Sequence, residues 1–304
     1  MKKSRFKLLM CDLDGTLVGK GHVIHDADMR ALRLAEESGI RVSICTGRSW
    51  RESHHLLADM NLPLPGVFSN GAELNEIATG RSIHHTRISP QALEILLAVC
   101  RERALGPVML LHQEHREDPL YLVTDWANLH PATTDWFRRN GVSHLVTESM
   151  DEALLQRCLR LGLVMEADPA ARFTALLENQ LADQFSYHLL RALHFQNAII
   201  EIFSPGVNKW SGILRLCRHL DISPEEVVTI GDDVNDIPML RHAPMSYAMG
   251  GAPDAVRHSA RKVTLSHAER GVAAAVADIL GLESLPEPAV QGAARYSNFG
   301  HANE

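Results

Sequence analysis

The sequence predicts an α/β fold with a doubly wound, mostly parallel core sheet and an α+β module inserted into it. Three observations predict it. Short apolar runs end abruptly in polar groups, as strands covered on both faces of a parallel sheet do. Residues 1–83, and again the segment from 197 onward, alternate such runs with helical patterns. Between them the pattern changes to helices mixed with hairpin-like strand pairs. A length of 304 residues suits two domains, and a 45% hydrophobic fraction suffices for a sizeable core. The expected division is a discontinuous core from 1–83 and 197–285, a module from 84–196, and a weakly ordered tail from 286–304 that is rich in Pro, Gly, Ser and Asn.

Residues 6–11 form the first expected strand, which stops at Asp12-Leu13-Asp14-Gly15-Thr16. Residues 26–38 read as a helix: Met29, Leu32 and Ala35 recur at helical spacing and Gly39 is a C-terminal stop. The β-branched run 40–45 is a second parallel strand ending at Thr46-Gly47-Arg48, and 49–60 is helical until Pro63 and Pro65. Asn70-Gly71, flanked by 67–69 and 72–75, signals a hairpin. In the module, Ser89-Pro90 opens a helix to about Arg103. Strands are expected at 108–112, 120–124 and 158–165, with a helix at 133–139. Asp168-Pro169 opens another helix, and strands follow at 185–193 and 198–203. Lys209 then begins a helix reaching His219, and Ser223-Pro224-Glu225-Glu226 is a capping-box turn. A buried strand at 227–230 ends at Gly231-Asp232, short strands fall at 245–249 and 262–264, and 269–280 is the closing helix.

Composition excludes several function classes. A net charge of −7 and a pI of about 6.2 disfavour a bulk nucleic-acid binder. The five cysteines are odd in number and form no Cys-x-x-Cys pair, which suits buried reduced thiols in a cytoplasmic protein. The basic start is followed by an apolar stretch too short for a signal segment, and no run approaches the roughly 18 to 20 apolar residues that span a bilayer. The expected partner is a small molecule, with neither nucleic acid nor membrane, and a monomer or homodimer is expected.

Asp12 and Asp14 place two like charges at a strand end, where both are partly desolvated. Such charges persist only if a cation or a transferred group compensates them. In open α/β sheets ligands bind at the carboxyl ends of the strands. Thr46, Asp232 and Asp236 occupy comparable positions, and Lys209 stands at a helix start. Two carboxylates from separate strands can hold an octahedral Mg2+ with waters and a phosphate oxygen. A carboxylate can attack phosphorus if a metal and a lysine neutralise the incoming group. A second carboxyl nearby can protonate the leaving alcohol and later activate water.

Taken together, Asp12-Leu13-Asp14-Gly15-Thr16, Thr46-Gly47-Arg48, Lys209 and Gly231-Asp232-Asp233-Val234-Asn235-Asp236 resemble, in order and spacing, the four motifs of the haloacid dehalogenase-like (HAD) phosphatases. The resemblance covers the chain to about Leu282 and is closest to the Cof-like branch, whose cap is inserted between the second and third motifs. It implies a Rossmann-like core with the middle module as cap domain. It implies Asp12 as nucleophile and Asp14 as general acid and base, its backbone carbonyl touching Mg2+. Asp232 would be the second carboxylate ligand, and Asp236 would sit in or beside the metal shell and orient Lys209. Thr46 and the Gly47 N–H would hold phosphate oxygens, Lys209 would neutralise developing charge, and Arg48, Asn70 and Asn235 would contact phosphate or substrate. Two positions depart from the branch: Trp210 follows Lys209 where a small residue is usual, and Arg270 stands where an acid usually precedes Gly271.

Other features carry blander readings. His54-His55, His84-His85 and His112 with His115 are not read as a zinc site, because no cysteine supports them. Trp126 and Trp136 are expected in the cap core rather than as a stacking platform. The function expected from sequence is a Mg2+-dependent phosphatase acting on small phosphorylated metabolites through an aspartyl-phosphate. Sugar phosphates lead, with flavin mononucleotide or pyridoxal phosphate behind. The alternatives are a phosphosugar mutase of the same fold and a non-enzymic receiver-like phospho-switch, against which Asp14 and the large insert argue.

Overall fold

The computed structural model describes residues 4–285 except 20, 116, 148–151, 182 and 192–196, and the side chains of Asp59 and Arg191 are likewise not described. The expected tail and the last two residues of the expected 185–193 strand lie outside the described residues. The first part runs β1 (Leu8–Cys11), α1 (Asp26–Glu37), β2 (Arg41–Ile44), α2 (Trp50–Leu57), β3 (Pro65–Phe68), β4 (Glu73–Glu76) and β5 (Ser82–His85). The middle runs α3 (Pro90–Glu102), β6 (Val108–Leu111), β7 (Tyr121–Val123), α4 (Pro131–Asn140), β8 (His144–Val146), α5 (Glu152–Leu155), β9 (Cys158–Glu166), α6 (Ala167–Leu181), β10 (Ser186–Arg191) and β11 (Asn197–Phe203). The last part runs α7 (Lys209–Leu220), β12 (Val227–Gly231), α8 (Ile237–His242), β13 (Met245–Ala248), α9 (Asp254–Arg257), β14 (Lys262–Val263) and α10 (Gly271–Leu280).

Both ends of the chain build one parallel sheet in the order β14-β13-β12-β1-β2. A parallel bridge between Cys45 and Val67 attaches β3 beyond β2. The alternation of side chains along β1 explains the double winding. Leu9 and Cys11 join a cluster with Ala31, Leu32 and Ala35 of α1 and Val272 and Val276 of α10. Leu8 and Met10 face the other way, onto Ile213 and Leu216 of α7 and Met239 and Leu240 of α8. A strand apolar at every position must be covered on both faces, and this one is.

The expected hairpin forms: β3 and β4 pair antiparallel around Ser69-Asn70-Gly71. All three turn residues are left-handed, with φ of 50°, 53° and 97°. Gly71 also lies so close to α7 that a Cβ there would be 2.1 Å from the Asn208 carbonyl oxygen.

The middle module is a six-stranded sheet, β10-β11-β9-β6-β7-β8, antiparallel apart from the β7–β8 edge. One face is covered by α3 and α6 through a cluster that includes Leu93, Leu97, Phe173 and Leu177. Its other face turns toward the carboxyl ends of the core strands. The strand 197–203, assigned to the core from sequence, corrects the boundary. It is an inner strand of the second sheet, paired with β9 and β10, because Ala198, Ile200 and Ile202 complete the cluster under α3 and α6. β8 and α5 were not expected; β8 is an edge strand whose three residues are all exposed, so no periodicity marks it. The closing helix starts at Gly271 after a single 3-10 turn at His267–Glu269.

Candidate active site

Three adjacent strands deliver the polar groups. β1, β12 and β2 lie side by side and parallel, so Asp12, Asp232 and the Thr46 loop emerge at one edge of the sheet. α7 contributes Lys209 at its first position, behind an Asn208–Ser211 capping box. The fully buried Lys209 donates from Nζ to Asp12 Oδ1 at 2.6 Å and to Asp236 Oδ1 at 2.5 Å. Burial alone would lower the lysine pKa, but Asp12 and Asp236 more than offset it and hold the group well above its ordinary value.

Asp236 is engaged on both oxygens, since Oδ2 accepts the backbone N–H groups of Asp232 at 2.8 Å and Asp233 at 3.0 Å. Asp232 in turn accepts the Thr16 hydroxyl at 2.7 Å. Carboxylate oxygens of Asp12, Asp232 and Asp236 lie within 4.8 Å of one another, and among the described residues no other such group of metal-ligating side chains occurs. Burial, then Asp236, push the Asp232 carboxyl up to about 7; burial raises Asp12 as well, and Lys209 opposes it. Three carboxylates thus crowd around one ammonium, which hydrogen-bonds to two of them. Hard oxygen donors with uncompensated negative charge are what a divalent cation such as Mg2+ requires, so the residues fit that group.

The other expected residues divide. Thr46 is buried and its hydroxyl accepts the Arg48 N–H at 3.2 Å. Gly47 lies against the amides of Asn70 and Asn235, which a Cβ would approach to between 3.2 and 3.4 Å. Asn235 donates to Asn70 at 3.0 Å, and Asn70 donates to Glu201 at 2.8 Å. The Asp14 carboxylate stands apart from the three-carboxylate group. Arg48 holds it by two hydrogen bonds, and both side chains border the cavity.

That cavity, about 800 Å³, lies between Asp12, Asp14, Gly47 and Arg48 on the core side and the inner face of the second sheet. Sequence reasoning missed the polar groups of that face. Arg160 pairs with Glu201 at 2.5 Å and reaches the Gly47 carbonyl at 3.3 Å and Tyr121 Oη at 3.2 Å. Tyr121 donates to Glu52 at 2.6 Å. Burial would pull the Arg160 pKa down, but Glu201 reverses it and the guanidinium stays charged. The signal was present: Glu201 is the one charge of β11 and Arg160 the one charge within β9 before its terminal Glu166, both at positions facing away from the α3–α6 cluster.

Trp136 needs a correction. It packs beside Phe137 and Tyr121 as expected of a core residue, yet it also lines the cavity. Trp210 stacks on His242 and packs against the α7–α8 cluster, and it does not border the cavity. Of the histidines, His54 stacks on Trp50, and His85 stacks on His112, which contacts Glu73 at 3.2 Å. Arg270 takes a left-handed conformation with φ 64° just before α10.

Residues 9–276 match the family model described as haloacid dehalogenase-like hydrolase. The chain belongs to that family. The match spans both parts of the core sheet and the inserted sheet, so the fold and the Cof-like branch agree with the resemblance read from the motifs, and the chain is a phosphatase-type hydrolase. The 5-amino-6-(5-phospho-D-ribitylamino)uracil phosphatase YcsE of Bacillus subtilis is 26% identical over 274 residues, covering 89% of this chain and 94% of that protein. The chloroplastic endoribonuclease YBEY of Arabidopsis thaliana is 26% identical over 290 residues; the chain matches 46% of that protein and so spans about half of it. Among solved structures, the HAD subclass IIB sugar phosphatase BT4131 superposes with a TM-score of 0.72 at 25% identity, covering 90% of this chain and 99% of that one. Among the described residues no helix is long and apolar enough to cross a membrane.

Proposed function

We propose that this hydrolase is a Mg2+-dependent phosphatase of small phosphorylated metabolites that works through an aspartyl-phosphate on Asp12. The observation that carries the reading is the setting of Asp12. One oxygen is fixed by the buried Lys209, and the other has no hydrogen bond among the described residues, on a side chain that borders the cavity. An oriented carboxylate with a free oxygen facing a substrate-sized space is a nucleophile's geometry.

Asp12 attacks phosphorus, and the bond to the leaving oxygen breaks as Asp14 gives that oxygen a proton. Asp14 then takes a proton from the water that cleaves the aspartyl-phosphate. Lys209 neutralises charge on the transferred group, and Thr46 with the Gly47 N–H holds its oxygens. Asn235, which borders the cavity, and Arg48 at its mouth contact phosphate or substrate, while Asn70, expected as a contact too, does not border the cavity and instead holds Asn235 through its side chain. Asp12, Asp232 and the Asp14 carbonyl would hold Mg2+, with Asp236 keeping Lys209 in place; the bound ion supplies charge neutralisation at the phosphate oxygens. The inserted sheet is the cap, and it closes the cavity around the leaving group. Sugar phosphates lead the substrate classes, in keeping with the likeness to a sugar phosphatase. Five free, buried cysteines suit a cytoplasmic setting.

The test is phosphate release from acetyl phosphate, p-nitrophenyl phosphate and a panel of phosphorylated metabolites, with Mg2+ and with chelator, in wild type and Asp12→Asn. Mg2+-dependent turnover lost in Asp12→Asn is expected. Full turnover in that variant would sink the covalent mechanism. One-time labelling without turnover would favour the phospho-switch, and transfer to a second sugar hydroxyl would favour the mutase.

A further inference from the structure

The three carbonyl groups of the loop Thr46-Gly47-Arg48 are all held, and from two different sheets. The Asn70 N–H donates to the Thr46 carbonyl at 3.0 Å, and the Ser69 N–H donates to the Arg48 carbonyl at 2.8 Å. Both donors belong to the left-handed turn between β3 and β4. The middle carbonyl, that of Gly47, is held by the inserted sheet, through Arg160 Nη1 at 3.3 Å. The N–H of the same peptide, that of Arg48, donates to Thr46 Oγ1 at 3.2 Å. The peptide joining Gly47 to Arg48 is thus gripped on both edges, once by its own loop and once by β9. The two supports are tied together by Glu201. Its Oε1 accepts Arg160 Nη1 at 2.5 Å and its Oε2 accepts the Asn70 amide at 2.8 Å.

A buried ion pair stabilises a fold little more than apolar side chains of the same size would. Stability alone therefore does not account for a charged pair set between Leu159, Leu161, Ile200 and Ile202. Both oxygens of the buried Glu201 are engaged within the protein, and the pair's outward contact ends on a backbone carbonyl of the phosphate-holding loop. We infer that Arg160 and Glu201 are positioning residues: the inserted sheet completes the loop, fixing the Gly47–Arg48 peptide so that Thr46 and the Gly47 N–H meet the phosphate and Arg48 meets Asp14. This inference rests on the phosphatase reading. It differs from contact with the leaving group, because it makes the reaction depend on Arg160 even when the leaving group is too small to touch the inserted sheet.

The experiment measures kcat and KM for acetyl phosphate and p-nitrophenyl phosphate, and the affinity for inorganic phosphate with Mg2+, in wild type, Arg160→Met, Arg160→Lys, Glu201→Gln and Arg157→Met. Arg157, just before β9, makes a comparable ion pair with Asp118 at 2.7 Å but does not border the cavity, so its variant reports structural loss alone. Arg160→Met should lower kcat/KM for both esters by a similar factor, roughly 10²-fold, the size of a small misplacement of reacting groups. Most of that loss should fall on kcat, since the loop's hydrogen bonds strengthen as charge develops. Inorganic phosphate should bind about tenfold more weakly. One nitrogen makes both the Gly47 and the Glu201 contact, so Arg160→Lys should restore most of the rate. Glu201→Gln keeps an acceptor for one of its two partners and should fall between. Arg157→Met should bind phosphate as wild type does. A loss confined to p-nitrophenyl phosphate would make Arg160 a leaving-group contact and overturn the inference, as would an equal loss of phosphate affinity in Arg157→Met. Should Arg160→Met not fold, Glu201→Gln carries the test, and wild-type kcat and phosphate affinity in it overturn the inference. If wild type hydrolyses neither ester, the phosphatase reading fails by itself. Phosphate titration then decides the positioning role: affinity weakened in Arg160→Met or Glu201→Gln but not in Arg157→Met supports it, and equal affinities or no binding overturn it.

Discussion

Arg48 grips both carboxylate oxygens of Asp14, through Nε at 2.7 Å and a terminal nitrogen at 2.5 Å. Motif one and motif two are joined by this fork at the mouth of the cavity. The Asp14 side chain is 51% exposed, whereas Asp12 is almost wholly buried and held by Lys209. In the proposed mechanism the two carboxylates have different tasks. If Asp14 protonates the leaving oxygen, its value depends on how badly that oxygen needs a proton. Asp14→Asn should slow the first turnover of alkyl phosphate esters by roughly 10²- to 10⁴-fold. Acetyl phosphate, whose acetate departs unprotonated, should lose far less in a rapid-quench measurement of that turnover. Equal losses on both would remove Asp14 from the acid role.

Gly15 is demanded twice over. Its φ is +84°, and a Cβ there would be 2.1 Å from Asp232 Oδ2. Gly39 has nearly the same φ, +86°, with nothing within 4 Å, and so isolates backbone strain from collision. Both alanine variants should lose about 1–3 kcal/mol of stability from strain. Only Gly15→Ala should also lose Mg2+ affinity, by at least about tenfold, because it must displace a proposed ligand. Calorimetric Mg2+ titration of the two variants separates the effects; equal affinities would mean that Asp232 does not hold the ion.

How much of this was legible in the sequence follows from locality. The core strands were readable because Leu8, Leu9, Met10 and Cys11 are all apolar and the sheet buries both of their faces. Asp12, Thr46, Lys209 and Asp232 were readable as a set because each ends or begins an element at the same sheet edge. The inserted sheet was harder. β11 was assigned to the wrong side of the boundary because nothing local distinguishes a strand of one sheet from a strand of another. Arg160 and Glu201 were passed over because their meaning lies in each other: 41 residues apart, they pair only after β9 and β11 align. Trp136 looked like core because it is core on one side, and a sequence does not tell which side a cavity will occupy.

Asp236 illustrates a residue whose work is indirect. It is fully buried, with one oxygen on Lys209 and the other on two backbone N–H groups of the loop after β12. Asp236→Ala strands a buried ammonium with one partner fewer and frees the loop that carries Asp232. Loss of one member of a buried ion pair costs about 3–5 kcal/mol, and urea unfolding should register a loss of that order. Asp236→Asn keeps acceptor capacity through its carbonyl and should cost visibly less. A near-neutral Asp236→Ala would mean that Asp12 alone suffices to hold Lys209.

The buried acids also set a pH dependence, whose sign follows from Asp232. Burial, reinforced by Asp236, raises its carboxyl from 3.8 to about 7 in the metal-free protein. Between those values the folded chain binds a proton that the unfolded chain has released, so this group's contribution to stability falls as pH rises through that window. Mg2+ would replace the proton. The rise in melting temperature caused by saturating Mg2+ should therefore be larger at pH 8 than at pH 5.5. Mg2+ affinity should climb with pH up to about 7 and level off above it. EDTA should return the metal-free curve, and Asp232→Asn should flatten the dependence. A Mg2+ increment indifferent to pH across this window would show that the ion does not compete with the Asp232 proton, and the two-strand ligand set would have to be given up.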